Sequence, residues 1–176
     1  MFWVLVGTGA FGLLVLFEYW KCRSIRRGTT GKNGWFLAGT LLLLLSCGVM
    51  AGESDRSRGV RLLAGVIVLL VGLVSYGVVL SVVPDAGEYT QDSKKRPVCR
   101  KGLYGWMRHP GVWSFLMCGI GYGMIFPEAM VPAMWFSFLN LAYTWVQDRF
   151  FFPVYLDGYE EYRREVPFLF PRKSKK

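Results

Sequence analysis

LLAGVIVLLVGLVSYGVVLSVV, residues Leu62–Val83, is a stretch of 22 residues without a charge. A bilayer core is about 30 Å thick and a helix rises about 1.5 Å per residue, so a membrane span needs about 17–25 apolar residues. Leu62–Val83 meets that requirement. We therefore predict a transmembrane helix here.

Four more uncharged stretches flank this one. Two precede it, Phe2–Phe17 and Trp35–Gly52, and the first reaches a polar edge at Glu18. Two follow it, Gly111–Pro127 and Ala129–Val146, and both are near the short limit for a span, which predicts a tight hairpin of tilted helices. The alternative is a set of buried helices in a soluble protein. A chain of 176 residues that is 53% hydrophobic has too little polar surface to cover five of them. We predict one all-α integral membrane domain with about five transmembrane helices.

Lys and Arg are concentrated in alternate connections of such a chain. Residues 21–34 contain five, 84–110 contain six and 147–176 contain seven, whereas 53–61 contain three. Cytoplasmic loops of membrane proteins are enriched in these residues. The pattern predicts an N-terminus outside and a cytoplasmic C-terminal tail. No positive charge precedes the first stretch, which favours a retained helix over a cleaved signal peptide. We expect a bacterial inner membrane.

The net charge of +9 also raises the question of nucleic acid. The basic runs are short and lack interleaved aromatic residues, so orientation and contact with anionic lipid explain them better. We predict no nucleic-acid partner. The four cysteines show no CxxC spacing and the chain has one histidine, so we predict no metal site. Gly7–Gly12 matches GxGxxG, but it lies inside a predicted span, where small residues serve helix packing. The same interpretation applies to the glycines of Gly119–Gly123 and to Gly48 with Gly52.

Two segments look chemically unusual. The first is the loop Gly102–Pro110, GLYGWMRHP, which contains the only histidine and enters the fourth predicted span. Pro110 suits the first turn of a helix, whose free N–H groups attract an anion beside Arg108 and His109. Snorkelling of these two side chains at a membrane interface is the other explanation. The second segment is Gln147–Pro171, here called the tail, with a predicted short amphipathic helix ending at Pro167. By topology, loop and tail share the cytoplasmic face.

Together the two segments resemble the isoprenylcysteine carboxyl methyltransferase family, and phospholipid N-methyltransferases share the C-terminal pattern. The loop reads G-x-Y-x-x-x-R-H-P and the tail reads Y-x-x-Y-x-x-x-V-P-x-x-x-P, and the similarity runs from about Val98 to Pro171. The matching positions are Gly102, Tyr104, Arg108, His109 and Pro110 in the loop and Tyr159, Tyr162, Val166, Pro167 and Pro171 in the tail.

The resemblance implies a membrane enzyme that binds S-adenosylmethionine without a Rossmann domain and releases S-adenosylhomocysteine. The cofactor pocket is then cytoplasmic and closed by the tail, and a lipid-like or prenyl-like acceptor arrives from the bilayer. The single domain would comprise a three-helix part (1–97), a cofactor-binding half (98–171) and a basic end (172–176). The sequence leaves the oligomeric state open.

The resemblance also suggests roles for individual side chains. Arg108 would pair with the cofactor carboxylate, while Asp148 would take its ammonium or a ribose hydroxyl. His109 would orient a group or act as a base, and Gln147 would add a neutral hydrogen bond. We predict Arg108, His109 and Asp148 as catalytic. Aromatic faces attract cations, so the rings for the sulfonium would come from Trp106, Trp113, Tyr159 and Tyr162.

This chain departs from the family pattern at several positions. The family's Glu-Glu pair falls on Gln147 and Asp148, its aromatic-Gly pair falls on Tyr155-Leu156, and its Tyr and Gly after the loop proline fall on Val112 and Ser114. These departures indicate a divergent member. They also favour one alternative, a non-catalytic binding protein of the same fold. A second alternative is a sterol-type reductase that binds NADPH, although those proteins are longer chains with more spans.

Overall fold

The computed structural model describes residues 1–28, 34–82 and 96–171. The helices within these ranges are α1 (Phe2–Arg27), α2 (Gly34–Glu53), α3 (Gly59–Val82), α4 (Pro110–Ile125), α5 (Met130–Val146), α6 (Phe152–Tyr155) and α7 (Tyr159–Glu165). The shorter elements are 3₁₀ turns at Gly102–Gly105 and Pro127–Ala129, a π-helical turn at Gln147–Phe151, and two strands, β1 (Arg96–Pro97) and β2 (Leu156–Asp157). Val83, Lys32, Lys94, Lys95 and the basic end at 172–176 lie outside the described residues.

The predicted all-α fold is confirmed across the described ranges, apart from the parallel pairing of β1 with β2. In these ranges α1, α2 and α3 are long and apolar enough to cross a membrane. The other two predicted spans form shorter helices, α4 with 16 residues and α5 with 17. At about 1.5 Å per residue, 16 residues extend only about 24 Å. Three of the five expected spans are therefore confirmed as long and apolar enough to cross a membrane, and α4 and α5 fall below that length. The interruption occurs at Pro127, where the chain leaves α4 and begins a 3₁₀ turn.

The first helix is longer than the sequence suggests. The polar edge expected at Glu18 is wrong, because α1 continues to Arg27 and ends at Gly28, whose φ of 65° is the left-handed conformation that favours glycine. Glu18 is only 1% exposed inside this helix. A carboxyl group at the expected edge of a span is thus part of the protein interior.

Glycines set the closest helix contacts. A Cβ added at Gly121 in α4 would collide with the backbone of Leu69 in α3 and would lie 2.8 Å from the carbonyl oxygen of Gly65. Gly119 faces α5 in the same way, since an added Cβ would lie 2.7 Å from Ser137 Oγ. The predicted packing role of this glycine series is confirmed. The expected contact at Gly48 and Gly52 is wrong, because both glycines have open space around their Cα atoms.

The helices form a row in which α1 packs against α2 and α5, and α4 packs against α3 and α5. Phe11 and Leu14 of α1 meet Met50 of α2 and Phe136 of α5 in the main apolar core. The outer faces of α2 and α3 expose large apolar side chains, among them Leu37, Leu41, Leu44, Leu63, Leu70 and Val74. A surface of that kind suits a lipid environment rather than water.

Hydrogen bonds fix which helix ends lie together. The backbone N–H of Ser57, between α2 and α3, donates to the Ile125 carbonyl at the end of α4 (2.8 Å). At the opposite end, the hydroxyl of Tyr143 in α5 donates to Glu18 in α1 (3.1 Å). The loop before α4 and the tail after α5 therefore share one end of the bundle. The helix predicted in the tail is confirmed as α7.

Candidate functional site

The loop approaches α4 through a tight turn. Gly102 begins a 3₁₀ turn with φ of 56°, a conformation that favours glycine, and a Cβ there would lie 3.3 Å from Val82. Seven residues later, His109 is the N-cap of α4 and Pro110 opens its first turn, where the missing proline N–H is not required. The turn thereby delivers Arg108 and His109 to the N-terminus of α4.

Asp148 is the centre of a buried polar cluster. Its Oδ1 accepts hydrogen bonds from Arg108 Nε (2.8 Å), His109 Nε2 (2.7 Å) and the Tyr159 hydroxyl (2.6 Å). Its Oδ2 accepts from Arg108 Nη2 (3.2 Å), and Arg163 Nε lies 3.6 Å from it. The Arg108 and Asp148 side chains are 9% and 6% exposed. Loop, tail and α7 thus meet at a single carboxylate.

The backbone joins the same two segments. Arg108 Nη1 donates to the carbonyl oxygens of Arg163 (2.8 Å) and Val166 (2.6 Å). The backbone N–H groups of Arg108 and His109 donate to the carbonyls of Pro167 (2.9 Å) and Phe168 (3.2 Å). The guanidinium thereby caps carbonyl groups at the C-terminal end of α7, which the short helix leaves without helical partners. The loop and tail therefore form one structural unit.

The cluster sets the protonation of Asp148 and His109. Burial alone would raise the pKa of Asp148, but hydrogen bonds from His109, Tyr159 and Arg108 outweigh it and hold this pKa well below its ordinary value. Burial lowers the pKa of His109, against the opposing effect of the Asp148 hydrogen bond. At neutral pH the site thus contains an ionised aspartate and a neutral histidine. Because an ionised carboxylate only accepts hydrogen bonds, the His109 proton is assigned to Nε2, which leaves Nδ1 as its basic nitrogen.

The tail tyrosines act as hydrogen-bond donors. Burial, together with the hydrogen bond to Asp148, raises the pKa of Tyr159, so its hydroxyl keeps its proton. The Tyr162 hydroxyl donates to the carbonyl oxygen of Tyr104 in the loop (2.7 Å), and burial raises the pKa of Tyr162 as well. Both rings are buried, with Tyr159 3% and Tyr162 2% exposed. Tyr162 therefore connects α7 to the loop, and Tyr159 connects α7 to Asp148.

Two phenylalanines that the sequence analysis missed line the cluster. The His109 ring stacks on Phe152 with ring centroids 5.7 Å apart and meets Phe168 edge-on at 4.8 Å. The Arg108 guanidinium lies 5.7 Å from the Phe168 ring centroid. Both phenylalanines lie in apolar runs of the tail, at 150–152 and 168–170, which is the sequence signal for them. These rings exclude water from the histidine and the aspartate.

Some predicted cofactor residues lie outside the Asp148 cluster. Gln147 points to α1, where its Nε2 donates to Glu18 Oε1 (2.6 Å). Trp113 donates from Nε1 to the Leu169 carbonyl (3.0 Å), and Trp106 is 65% exposed. Gln147 and Asp148 are the first two residues of the π-helical turn at Gln147–Phe151, and such turns occur frequently at functional sites.

The geometry limits what Arg108 and Asp148 can offer a ligand. Of the five N–H groups of Arg108, protein oxygens accept four, which leaves one at Nη2. The predicted bidentate pairing of Arg108 with a cofactor carboxylate would thus cost an existing bond, whereas a single bond would not. Oδ2 is the less engaged oxygen of Asp148. No three His, Cys, Asp or Glu side chains within the described ranges are grouped to hold a metal ion.

The resemblance to isoprenylcysteine carboxyl methyltransferases depends on the loop and tail motifs. In the structure those motifs are in direct contact through Arg108, Asp148 and Tyr162. No family model, curated protein or solved structure matches this chain. Functional conclusions therefore depend on the two motifs and on the chemistry of the cluster.

Proposed function

We propose that this protein is an S-adenosylmethionine-dependent membrane methyltransferase for a lipid-like or prenyl-like amphiphilic acceptor. The observation that supports it best is the convergence of Arg108, His109, Asp148 and Tyr159 in one buried cluster. These residues come from both segments of the family resemblance. Within the cluster, the bond from His109 Nε2 to Asp148 leaves Nδ1 as the nitrogen that can accept a proton.

S-adenosylmethionine supplies an activated methyl group, so the protein has to bind the cofactor, position the acceptor and exclude water. In our proposal the remaining Nη2 N–H of Arg108 and the N-terminus of α4 bind the cofactor carboxylate. Asp148 Oδ2 takes the ammonium or a ribose hydroxyl. Nearby aromatic rings, Trp113 among them, face the sulfonium. His109 Nδ1 accepts a proton where the acceptor must lose one, and a carboxylate acceptor needs no such step.

The membrane arrangement is part of the proposal. Five passes with the N-terminus outside would put the loop and tail in the cytoplasm, and the uneven distribution of Lys and Arg supports this orientation. The helix contacts are compatible with this orientation. The α2–α3 turn meets the C-terminal end of α4, which is the end of the bundle opposite to the loop and tail. The short α4 and α5 would cross by local thinning of the bilayer. We propose the bacterial inner membrane as the location.

Titration calorimetry on the detergent-purified protein tests the proposal. We expect S-adenosylmethionine and S-adenosylhomocysteine to bind and NADPH to give no heat. Arg108→Lys loses the fork geometry of the guanidinium and should weaken the binding of S-adenosylhomocysteine at least about tenfold. Arg164→Lys makes the same exchange at an exposed arginine of α7, so it is the matched control and should bind like the wild type. Binding of NADPH alone would indicate a reductase instead.

The acceptor is identified by transfer of a radiolabelled methyl group. Prenylated cysteine, phosphatidylethanolamine and a water-soluble thiol should be offered to the protein in lipid nanodiscs. We expect label in one of the two amphiphiles and none in the soluble thiol. Label in the soluble thiol alone would contradict an amphiphilic acceptor.

One observation favours the non-catalytic alternative. Asp148 and Arg108 satisfy most of each other's hydrogen-bonding groups, as a purely structural pair would. A protein of this kind would hold the same fold and bind an amphiphile without transferring a methyl group. Failure of S-adenosylmethionine, S-adenosylhomocysteine and NADPH alike to bind the wild type would favour this alternative over both enzymes.

A further inference from the structure

Glu18 is a buried carboxyl group that the proposed chemistry does not use. It lies in α1 and is 1% exposed. Its Oε1 accepts hydrogen bonds from Gln147 Nε2 (2.6 Å) and the Tyr143 hydroxyl (3.1 Å). Its Oε2 accepts from the Tyr155 hydroxyl (3.1 Å). An acid inside an apolar helix is costly, so its retention points to a role beyond helix packing.

The three donors surround the π-helical turn. Tyr143 precedes the turn by one helical turn, Gln147 is its first residue and Tyr155 ends α6 just after it. The turn also carries Asp148, the residue that follows Gln147. A carboxyl group bonded on both sides of a π-helical turn fixes how far the chain rotates through it.

Aromatic contacts connect the same turn to His109. Tyr155 packs edge-on against Phe152 at 5.5 Å between ring centroids, and Phe152 stacks on His109 at 5.7 Å. Glu18 therefore reaches the Asp148 cluster by two routes, through the backbone from Gln147 to Asp148 and through these rings. Movement of α1 at this end would be transmitted to both catalytic candidates.

We propose that Glu18 is a positioning residue for methyl transfer, which holds the π-helical turn so that Asp148 faces Arg108 and His109. This inference rests on the proposed function. Glu18 does not touch the cofactor. It acts through Gln147 and Tyr155, and it gives the N-terminal helix a part in a site otherwise built from the second half of the chain.

The test exchanges the two partners of the shortest contact. Glu18→Gln puts an amide where the carboxyl group accepted bonds, and Gln147→Glu puts a second carboxyl group beside the first. The double variant E18Q/Q147E restores one amide N–H donating to one carboxyl oxygen. Thr8→Val is the control, because it removes an α1–α5 hydrogen bond, from Trp135 Nε1 (3.0 Å), at the far end of the same helix pair.

Calorimetry with S-adenosylhomocysteine measures both stoichiometry and Kd. Stoichiometry gives the folded fraction, so loss of folded protein is separated from loss of affinity. We expect each single variant to weaken binding about tenfold or more, and the double variant to return within about threefold of the wild type. Thr8→Val should leave Kd unchanged. If Glu18→Gln yields no folded protein, Tyr155→Phe replaces it, with an expected loss of about threefold.

Failure of the proposed function and failure of the inference about Glu18 give different results. If the wild type binds no S-adenosylhomocysteine, the proposed function fails and the role of Glu18 fails with it. If the wild type binds, and the folded single variants or Tyr155→Phe bind equally well, only the inference about Glu18 is overturned. A double variant as weak as the single ones would also overturn it.

Discussion

Arg108 and Asp148 form a buried ion pair in which each side chain makes several hydrogen bonds. The guanidinium bonds both carboxylate oxygens and two carbonyls of the tail, so the pair joins three segments of the chain. Ion pairs with so little exposure are expensive to bury and more expensive to break, because removal of one partner leaves an uncompensated charge. The pair therefore stabilises the site whatever ligand it binds.

Asp148→Asn should destabilise the protein by about 3–5 kcal/mol, because it leaves the Arg108 charge buried without its counterion. Thermal or denaturant unfolding in detergent, followed by tryptophan fluorescence, measures the loss. Glu165→Gln is the matched control. It breaks an ion pair of Arg100 that is about half exposed, and should cost no more than about 1 kcal/mol. Equal losses in the two variants would contradict the buried-pair argument.

His109 should make stability depend on pH. Its pKa in the folded protein lies below its ordinary value of 6.5, with Arg108 and Asp148 as its charged neighbours. Below about pH 6.5 the unfolded chain binds a proton that the folded site resists, so stability falls by up to about 1.4 kcal/mol per pH unit. Above that pH the contribution is fully present. The lowered pKa of Asp148 acts in the same direction, but only as the pH falls below its ordinary value of 3.8.

Replacing His109 with Gln keeps a donor to Asp148 and removes the titration. The unfolding temperature of His109→Gln should be nearly flat between pH 7 and 5, a range where the wild type declines. The chain contains one histidine, so no second imidazole contributes to this range. A decline of the same size in both proteins would show that another group titrates.

At the scale of the elements, helix contacts depend on where glycines fall rather than on how many there are. Gly121 allows α4 to touch the backbone of α3, and Gly119 allows the opposite face of α4 to meet α5. Gly77, on the same α3 helix, faces open space. The spacing of small residues gives a packing face its periodicity. Which of two similar faces meets a neighbour is decided by the arrangement of the helices.

Gly121→Ala should therefore separate α3 from α4 and cost about 1–3 kcal/mol, since the added Cβ meets backbone atoms that have no room to move. Gly77→Ala is the control in the same helix pair. It should change the free energy of unfolding by less than about 1 kcal/mol, with alanine favoured by its helix propensity. Both variants are compared by thermal unfolding in detergent. A larger loss for Gly77→Ala would contradict the assigned contact face.

At the scale of the whole molecule, the bundle has two chemically different ends. One end carries the loop, the tail and the Glu18 contacts, and the other carries the α2–α3 turn and the Pro127–Ala129 turn. If the protein spans the membrane as proposed, the two ends face different compartments. This gives the topology a direct test.

Single cysteines in a background without the native cysteines should report these compartments. A cysteine at Arg58 should react with a membrane-impermeant maleimide on intact cells, because it lies in the α2–α3 turn, where it is exposed. A cysteine at Arg164 should react only after the membrane is permeabilised. Reaction of both positions from the outside would exclude the proposed orientation and the cytoplasmic site.

The sequence alone determined the helical fold, the apolar character of α1, α2 and α3, and the short helix that contains Tyr159 and Tyr162. Those features depend on runs and periodicities of neighbouring residues, which are local. It also predicted that loop and tail share one face, and it drew Arg108, His109 and Asp148 from those two segments.

Tertiary structure alone decided how those residues are used. Arg108 meets Asp148 across 40 positions, and Glu18 meets Gln147 across 129. No local pattern specifies such pairings, because they depend on how the helices lie against each other. The same arrangement moved Glu18 from an expected polar edge into the interior.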